Sequence, residues 1–488
     1  MGRYDLVGIP GIIIVLKKVL TSKFFLLNLF CLCAIDVLFI LYVNIFMGGE
    51  VVNRYTPVVL VIAVYSLAAI IYTSMVAADV MMTTVLLILL RFLSLNAIIN
   101  QPKNSIVKSM TAALVITSVL FVVIINWDLI WNKCFRKLYE KIIVKNFDRY
   151  IRNGTISNRC KDFFTKEFLL CVIQWAICLV MIVYGVIHKN DRSGQNAYNY
   201  INIFGYSITL LEVIKLIYLV LCGLIIGGDK NLFGKNREWL LLVHTIILSI
   251  LLLGCNELGT LLVIVFTYSI LMLLFSKDQK TSRIIAIVIF GGFIGFWMFS
   301  VFLYNNVYEG DLSSLSGNLL KDLFQKLISR FGVVFNPLEA NINASLQIIC
   351  ALEGIAMGGL TGVKFTRYRV GIIKGDNDFA FSSIVQNCGA LVGLVIIILY
   401  IVIFYRIINT ALNEIELDSK ITITGIAILI TVENLIHISY NLGIFPITGI
   451  TLFFLSNGFT SFVVGQLMIM YYMKKYSDRT SKELKSYE

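Results

Sequence analysis

Long apolar stretches alternate with short polar ones along almost the whole chain. A helix needs about 20 mostly apolar residues to cross the hydrocarbon core of a bilayer, and the pattern predicts about twelve such spans. They fall near 24–46, 57–77, 79–99, 108–130, 167–187, 207–227, 238–255, 258–276, 283–305, 380–405, 419–440 and 449–473. The predicted fold is an all-α polytopic membrane protein. One connection breaks the rhythm: residues 306–379 form by far the longest loop. It keeps apolar, glycine-punctuated stretches, LLKDLFQKLISRFGVVF and ASLQIICALEGIAMGGLTG. These predict short interfacial or re-entrant helices packed on the bundle rather than a disordered tether.

Charge sets the orientation. Lys17, Lys18 and Lys23 precede the first span, and seven basic residues from Lys133 to Arg152 crowd the loop after the fourth. Further clusters are Lys230, Lys235 and Arg237; Lys277, Lys280 and Arg283; and Lys474 with Lys475. With alternating spans all five lie on one side, so both termini are expected in the cytoplasm and the 306–379 loop outside. The N-terminus shows no cleavable signal pattern, so the first spans are expected to serve as the targeting signal.

Composition agrees with this class: 58% of the 488 residues are hydrophobic and 14% charged, against roughly 25% charged in a soluble domain. The net charge of +12 sits in the short loops, which excludes a nucleic-acid reading. The ten cysteines are scattered, and Cys31 with Cys33 reads as part of an apolar run. His188, His244 and His437 are too dispersed to suggest a metal site.

Ionisable residues near span ends are informative because lipid makes them expensive. Glu212 and Lys215 are three apart on one helical face, either an internal ion pair or a polar site facing a cavity. Glu257 lies between two spans at the outer side; Glu433 is deeper, near Asn434 and His437. His437 reads as a hydrogen-bonded packing residue before it reads as a catalyst. In GDNDFAFSSIVQNCG, Asp376 and Asp378 stand where the outer loop enters an apolar run. There a carboxylate serves either as a helix cap favoured by the dipole or as a catalytic group.

Several of these stretches together resemble the SEDS family (shape, elongation, division and sporulation; the FtsW/RodA/SpoVE group). AYNYINIFGYSITLLEVIKL looks like the family's A-x-R-W-I-x-L-G and Q-P-S-E-x-x-K-L; CNELGT looks like Q-P-D-L-G-T. Arg330, Pro337, Gln347, Gly358, Gly359 and Gly362 carry the R…DP, G-Y-Q and GG-x-x-G pattern. NDFAFSSIVQNCG resembles T-D-F-I-F-A-x-x-x-E-E-x-G, with Asp378 at the essential aspartate and Asp376 at a position without a family role. HISYNLGIFPITGITLFFLSNGFTS, with Pro446 and Ser456, resembles the family's final motif. Asn199 and Tyr200 replace R-W, Thr209, Leu210 and Leu211 replace Q-P-S, and Gln386 and Asn387 replace the paired glutamates. The ordered match covers about residues 108–473.

The resemblance implies a ten-span core at 79–473 containing the 306–379 extracellular loop, with two additional spans in 1–78 and a cytoplasmic tail at 474–488. It further implies polymerisation of lipid II into glycan at the outer face of the bacterial cytoplasmic membrane. Asp378 would be the catalytic base. Lys215 and Arg330 would stabilise the leaving pyrophosphate, with Glu212 holding Lys215 in place. Gly358, Gly359 and Gly362 would admit the sugar chain, and Gln347, Pro446 and Ser456 would join the substrate site. Apart from the resemblance, Glu257, Glu433 and His437 are candidates for a further polar site by their positions near span ends. No cofactor is called for, with room left for a Mg or Mn ion, and a class B penicillin-binding protein is the expected partner. Three rivals are a lipid-linked sugar flippase or transporter, an O-antigen-type polymerase or ligase, and a non-catalytic scaffold of the same family.

Overall fold

The structure, a computed structural model, describes parts of 30–41, then 79–100, 166–187, 201–203, 206–227, 237–255, 257–276, 279–306, 333–334, 342–363 and 369–486. The second and fourth predicted spans, Arg330 and Pro337 lie outside the described residues. Eleven helices of eight or more residues are described: α1 Val80–Asn100, α2 Lys166–Ile187, α3 Leu210–Gly227, α4 Arg237–Gly254, α5 Leu258–Phe275 and α6 Gln279–Asn306. α7 Ile342–Gly358, α8 Ala380–Cys388, α9 Ala390–Leu412, α10 Leu417–Asn441 and α11 Phe459–Ser486 complete them. Among the described helices, α3, α5, α9 and α10 are long and apolar enough to cross a membrane.

The chain divides into two compact units. The first comprises 1–107, 265–406 and 427–458; the second 108–264, 407–426 and 459–488. In the first unit α7 packs along α8, and α8 also meets α1. In the second, α2, α3 and α4 pack together, and α11 lies against α3. Gly223 makes the second unit's close packing visible, since a Cβ there would run into the Thr422 side chain.

Three local departures from the predicted spans have physical causes. First, the span expected at 380–405 is two helices, α8 and α9, parted at Gly389. Gly389 takes φ +92°, a backbone that L side chains avoid, and a Cβ there would strike the Leu360 carbonyl. The amides of Ala390 and Leu391 instead bond Gly359 O and Leu360 O at 2.9 and 3.3 Å. α8 is buried along its whole length, whereas α9 exposes Leu391, Leu394, Ile398 and Ile401. α9 is therefore the membrane-facing part.

Second, the last span does not begin at 449. Residues 443–458 form an irregular loop, and α11 starts at Phe459 and continues unbroken to Ser486, through the expected tail. Gly443, Gly449 and Phe454 have positive φ, which no helix accommodates. Leu452, Phe453, Phe454 and Leu455 are buried, so their backbone needs partners from the protein. Asn434 Oδ1 accepts from Phe453 N at 3.1 Å, Ser456 Oγ from Leu452 N at 2.8 Å, and Tyr400 OH donates to Phe453 O at 2.7 Å.

Third, the all-α expectation misses a small antiparallel hairpin, β1 Ile201–Ile203 and β2 Tyr206–Ile208. It pairs Ile201 with Ile208 and Ile203 with Tyr206. Ile201, Ile203, Ile208 and Tyr206 favour strand pairing over a helix start. Helix α3 accordingly begins at Leu210 rather than 207.

Candidate functional site

Asp378 lies at the end of the turn Lys374–Phe379, immediately before α8. Lys374 shapes that turn: its carbonyl accepts from Asn377 N and Phe379 N at 3.0 Å each, and its φ is +55°. The turn is fixed from three directions within the first unit. From α1, Asn96 Nδ2 donates to Gly375 O at 3.1 Å, and Asn100 Nδ2 to Ser383 Oγ at 2.9 Å. From the 443–458 loop, Ser456 Oγ donates to Asn377 O at 2.7 Å and Asn457 N to Asp376 O at 2.9 Å. From α10, Tyr440 OH donates to Asp378 O at 2.7 Å and Asn441 Nδ2 to the same oxygen at 3.2 Å.

Helix α8 has no side-chain cap of its own at Phe379. Asn441 supplies one from α10, its Oδ1 accepting from Ser382 N at 3.0 Å and Ser382 Oγ at 2.7 Å. An orphan amide of the first turn is thereby satisfied from another element. His437 Nδ1 lies 2.7 Å from Ile450 O and 2.8 Å from Tyr440 OH. With its proton on Nδ1, His437 donates to Ile450 O and leaves the phenol free to donate to Asp378 O.

The Asp378 carboxylate is 12% exposed, and Lys374 Nζ sits 2.9 Å from its Oδ2. Burial pushes this carboxyl above the usual aspartate value; the Lys374 ammonium opposes the shift and Asp376 adds to it. Gln386 and Asn387 use the donors that glutamates lack. Gln386 Nε2 donates to Val370 O at 3.1 Å and Asn387 Nδ2 to Ser383 O at 2.6 Å.

Of the sequence-predicted residues, Asp378, Ser456 and His437 thus meet around one turn. Gln347 is half-buried on α7, Pro446 is buried in the 443–458 loop, and Glu433 is buried on α10. Two of the three glycines pack closely against other backbone. A Cβ on Gly358 would strike Val385 O, and one on Gly362, at φ +87°, Asn387 O; only Gly359 faces open space. In the second unit, Glu212 in the first turn of α3 and Lys215 in the second form an ion pair of 2.6 Å, with Lys215 buried. Glu257 precedes α5 and lies 3.4 Å from Thr260 Oγ1. Among the described residues no three His, Cys, Asp or Glu side chains converge as a metal site. The sequence reading missed Lys374, Tyr440 and Asn441. The signals were the four-residue spacing of Lys374 to Asp378 and the position of Tyr440 and Asn441 one turn beyond His437.

The signature of the family described as cell cycle protein, FtsW/RodA/SpoVE, matches residues 158–478, well over half of the chain. The chain belongs to this family. Stage V sporulation protein E of Bacillus subtilis is 27% identical over 313 residues, 63% of this chain and 76% of that protein. The probable peptidoglycan glycosyltransferase FtsW of Bacillus subtilis is 25% identical over 379 residues, 71% of this chain and 89% of that protein. A chain of a peptidoglycan synthase complex that coordinates polymerization and crosslinking superposes with a TM-score of 0.55 at 16% identity, over 83% of this chain and 98% of its own. RodA of Thermus thermophilus gives 0.51 at 16% identity, with the same coverage. At that identity the likeness speaks for the fold, a multi-pass helical membrane protein. The family signature ends at 478, within α11, and so includes the 443–458 loop that holds the Asp378 turn.

Proposed function

We propose that this FtsW/RodA/SpoVE-family chain is a peptidoglycan glycosyltransferase, an inverting enzyme that polymerises lipid II for cell shape, division or sporulation. The observation that carries the reading is the buried Asp378 carboxylate, carried at a loop–helix junction by a turn whose backbone is held by α1, α10 and the 443–458 loop. The reaction would take place at the outer face of the bacterial cytoplasmic membrane, with both termini in the cytoplasm. Sugar hydroxyls are poor nucleophiles at neutral pH, and a positioned base contributes about 10²–10⁴-fold. Asp378 takes the proton of the acceptor's GlcNAc 4-OH as that oxygen bonds the anomeric carbon of the donor MurNAc. The bond from that carbon to the phosphate oxygen breaks, its electron pair leaves with undecaprenyl pyrophosphate, and the configuration inverts from α to β.

Preorganised cations suit a leaving pyrophosphate; Lys215, oriented by Glu212, and Arg330 are assigned that part. The described carboxylates do not gather into a metal site, and an ammonium holds Asp378 Oδ2. A Mg or Mn ion bound to the pyrophosphate would add to the positive charge there. A class B penicillin-binding protein would cross-link the product.

Purified protein supplied with lipid II and such a partner should lengthen glycan, and Asp378→Ala should abolish the product. Asp378→Asn should do the same without lowering thermal stability, because it removes a buried carboxylate. Polymerisation by either variant at the wild-type rate would overturn the assignment of the base.

A further inference from the structure

We propose that Lys374 is a positioning residue for Asp378: its ammonium keeps the buried carboxylate ionised and turns one oxygen toward itself, leaving the other for the substrate proton. The chemistry it serves rests on the glycosyltransferase reading. Its effect on the carboxylate is a property of this chain alone.

Geometry comes first. The Lys374 ammonium sits 2.9 Å from Oδ2, and among the described residues Oδ1 has no hydrogen-bond partner. An ion-paired carboxylate with one open oxygen is oriented, and the open oxygen is the one that can accept. The pair is also asymmetric: the Asp378 side chain is 12% exposed and that of Lys374 49%. The lysine keeps much of its hydration, so pairing costs it little, while the carboxylate gains the counter-charge that burial makes valuable.

The backbone makes the same point. Lys374 adopts φ +55°, in the left-handed region that glycine and asparagine occupy at low cost. For a lysine this conformation costs about 1 kcal/mol. Strain of this kind persists where the surroundings enforce it and clusters at functional sites. Here the turn enforces it through the two bonds to the Lys374 carbonyl. The result is that a side chain four residues upstream folds back on Asp378 without a helix between them.

The other groups facing Asp378 do not substitute for this cation. Asp376 in the same turn opposes ionisation. From α10, Tyr440 donates to the Asp378 backbone carbonyl and His437 is engaged with Ile450 O. Asn96 and Asn100 from α1, Ser382 from α8, Asn441 from α10 and Ser456 from the loop are neutral.

The sign of the pH effect follows. The base form is lost as pH falls through a carboxyl value raised by burial, and Lys374 limits that rise. Removing its charge therefore moves the acid limb of activity toward neutral pH. A merely structural lysine would lower the rate at all pH values alike.

The test uses full-length protein in detergent with Lys374→Asn, which suits the left-handed backbone, Lys374→Gln as a second neutral variant, and Lys374→Arg. Two readouts are followed against pH: lipid II polymerisation, and labelling of Asp378 by a hydrophobic carbodiimide, which reacts with the protonated carboxyl and is read by peptide mass spectrometry. The neutral variants should lose roughly tenfold in rate on the acid side and under about threefold on the alkaline side, as expected for depleting a general base. Their labelling midpoint should move to higher pH, and Lys374→Arg should restore both. An unchanged labelling midpoint in folded neutral variants overturns the proposal. A shifted midpoint in protein that never polymerises lipid II upholds Lys374 and instead overturns the glycosyltransferase reading.

Discussion

Tyr440 shows how much of this site rests on single atoms. Its hydroxyl lies 2.7 Å from the carbonyls of both Asp378 and Ile450, and 2.8 Å from His437 Nδ1. Removing it leaves Asp378 O with the longer bond from Asn441 and His437 Nδ1 with Ile450 O alone. A buried hydrogen bond contributes about 1 kcal/mol net, and an unsatisfied partner costs about 1–3 kcal/mol. Tyr440→Phe should therefore lower unfolding stability by roughly 1–2 kcal/mol, read by thermal melting in detergent. Glycan synthesis should fall about tenfold through loss of alignment, with lipid II binding retained. At this scale Asp378 was legible, because a family motif names it regardless of conformation. Lys374 was not, because a four-residue spacing predicts pairing within a helix, whereas here the pair forms across a turn with Lys374 at φ +55°. Tyr440 and Asn441 lie at the start of the final motif, but their partner at Asp378 is 62 and 63 residues away, which no local pattern shows.

Elements were legible where apolar length alone decides them. α1, α2, α4, α5 and α10 fall within a few residues of their predicted spans, because a hydrophobic run of that length has few alternatives. The sequence pattern failed where apolar residues are buried in protein rather than turned to lipid. LFFL at 452–455 reads as span but forms loop, its backbone held by Asn434, Ser456 and Tyr400. The glycines are the clearest case. Gly362 combines φ +87° with a Cβ direction blocked by the Asn387 carbonyl, whereas Gly359 has φ +51° and open space. Gly362→Ala should lower stability by about 3 kcal/mol or more, since both the strain and the clash must be relieved. Gly359→Ala should cost about 1–2 kcal/mol. Melting of the two variants side by side checks the ordering. Loss of glycan synthesis in Gly359→Ala beyond its loss of fold would assign that open face to the substrate.

For the whole molecule, the decisive question is which ends of the helices face the outside. α9 has 23 residues, about 35 Å at 1.5 Å per residue, enough to span the hydrocarbon core. Before it come α8 and the turn with Asp378; after it comes the short polar connection to α10. Lys420 and Lys475 lie in or near that connection, with Lys475 paired to Glu416 at 3.0 Å. The basic clusters of the sequence, taken with alternating spans, would put this end in the cytoplasm and the Asp378 turn outside, where polymerisation is proposed. Gly371 and Asn413 are exposed residues on the two sides of this stretch, and a Cβ at Gly371 meets nothing within 4 Å. Against the wild-type background, a cysteine in Gly371→Cys should react with a membrane-impermeant maleimide in intact cells. The one in Asn413→Cys should react only after permeabilisation. The reverse pattern would place the Asp378 turn in the cytoplasm, away from the acceptor strand, and would remove the base from the reaction whatever its geometry.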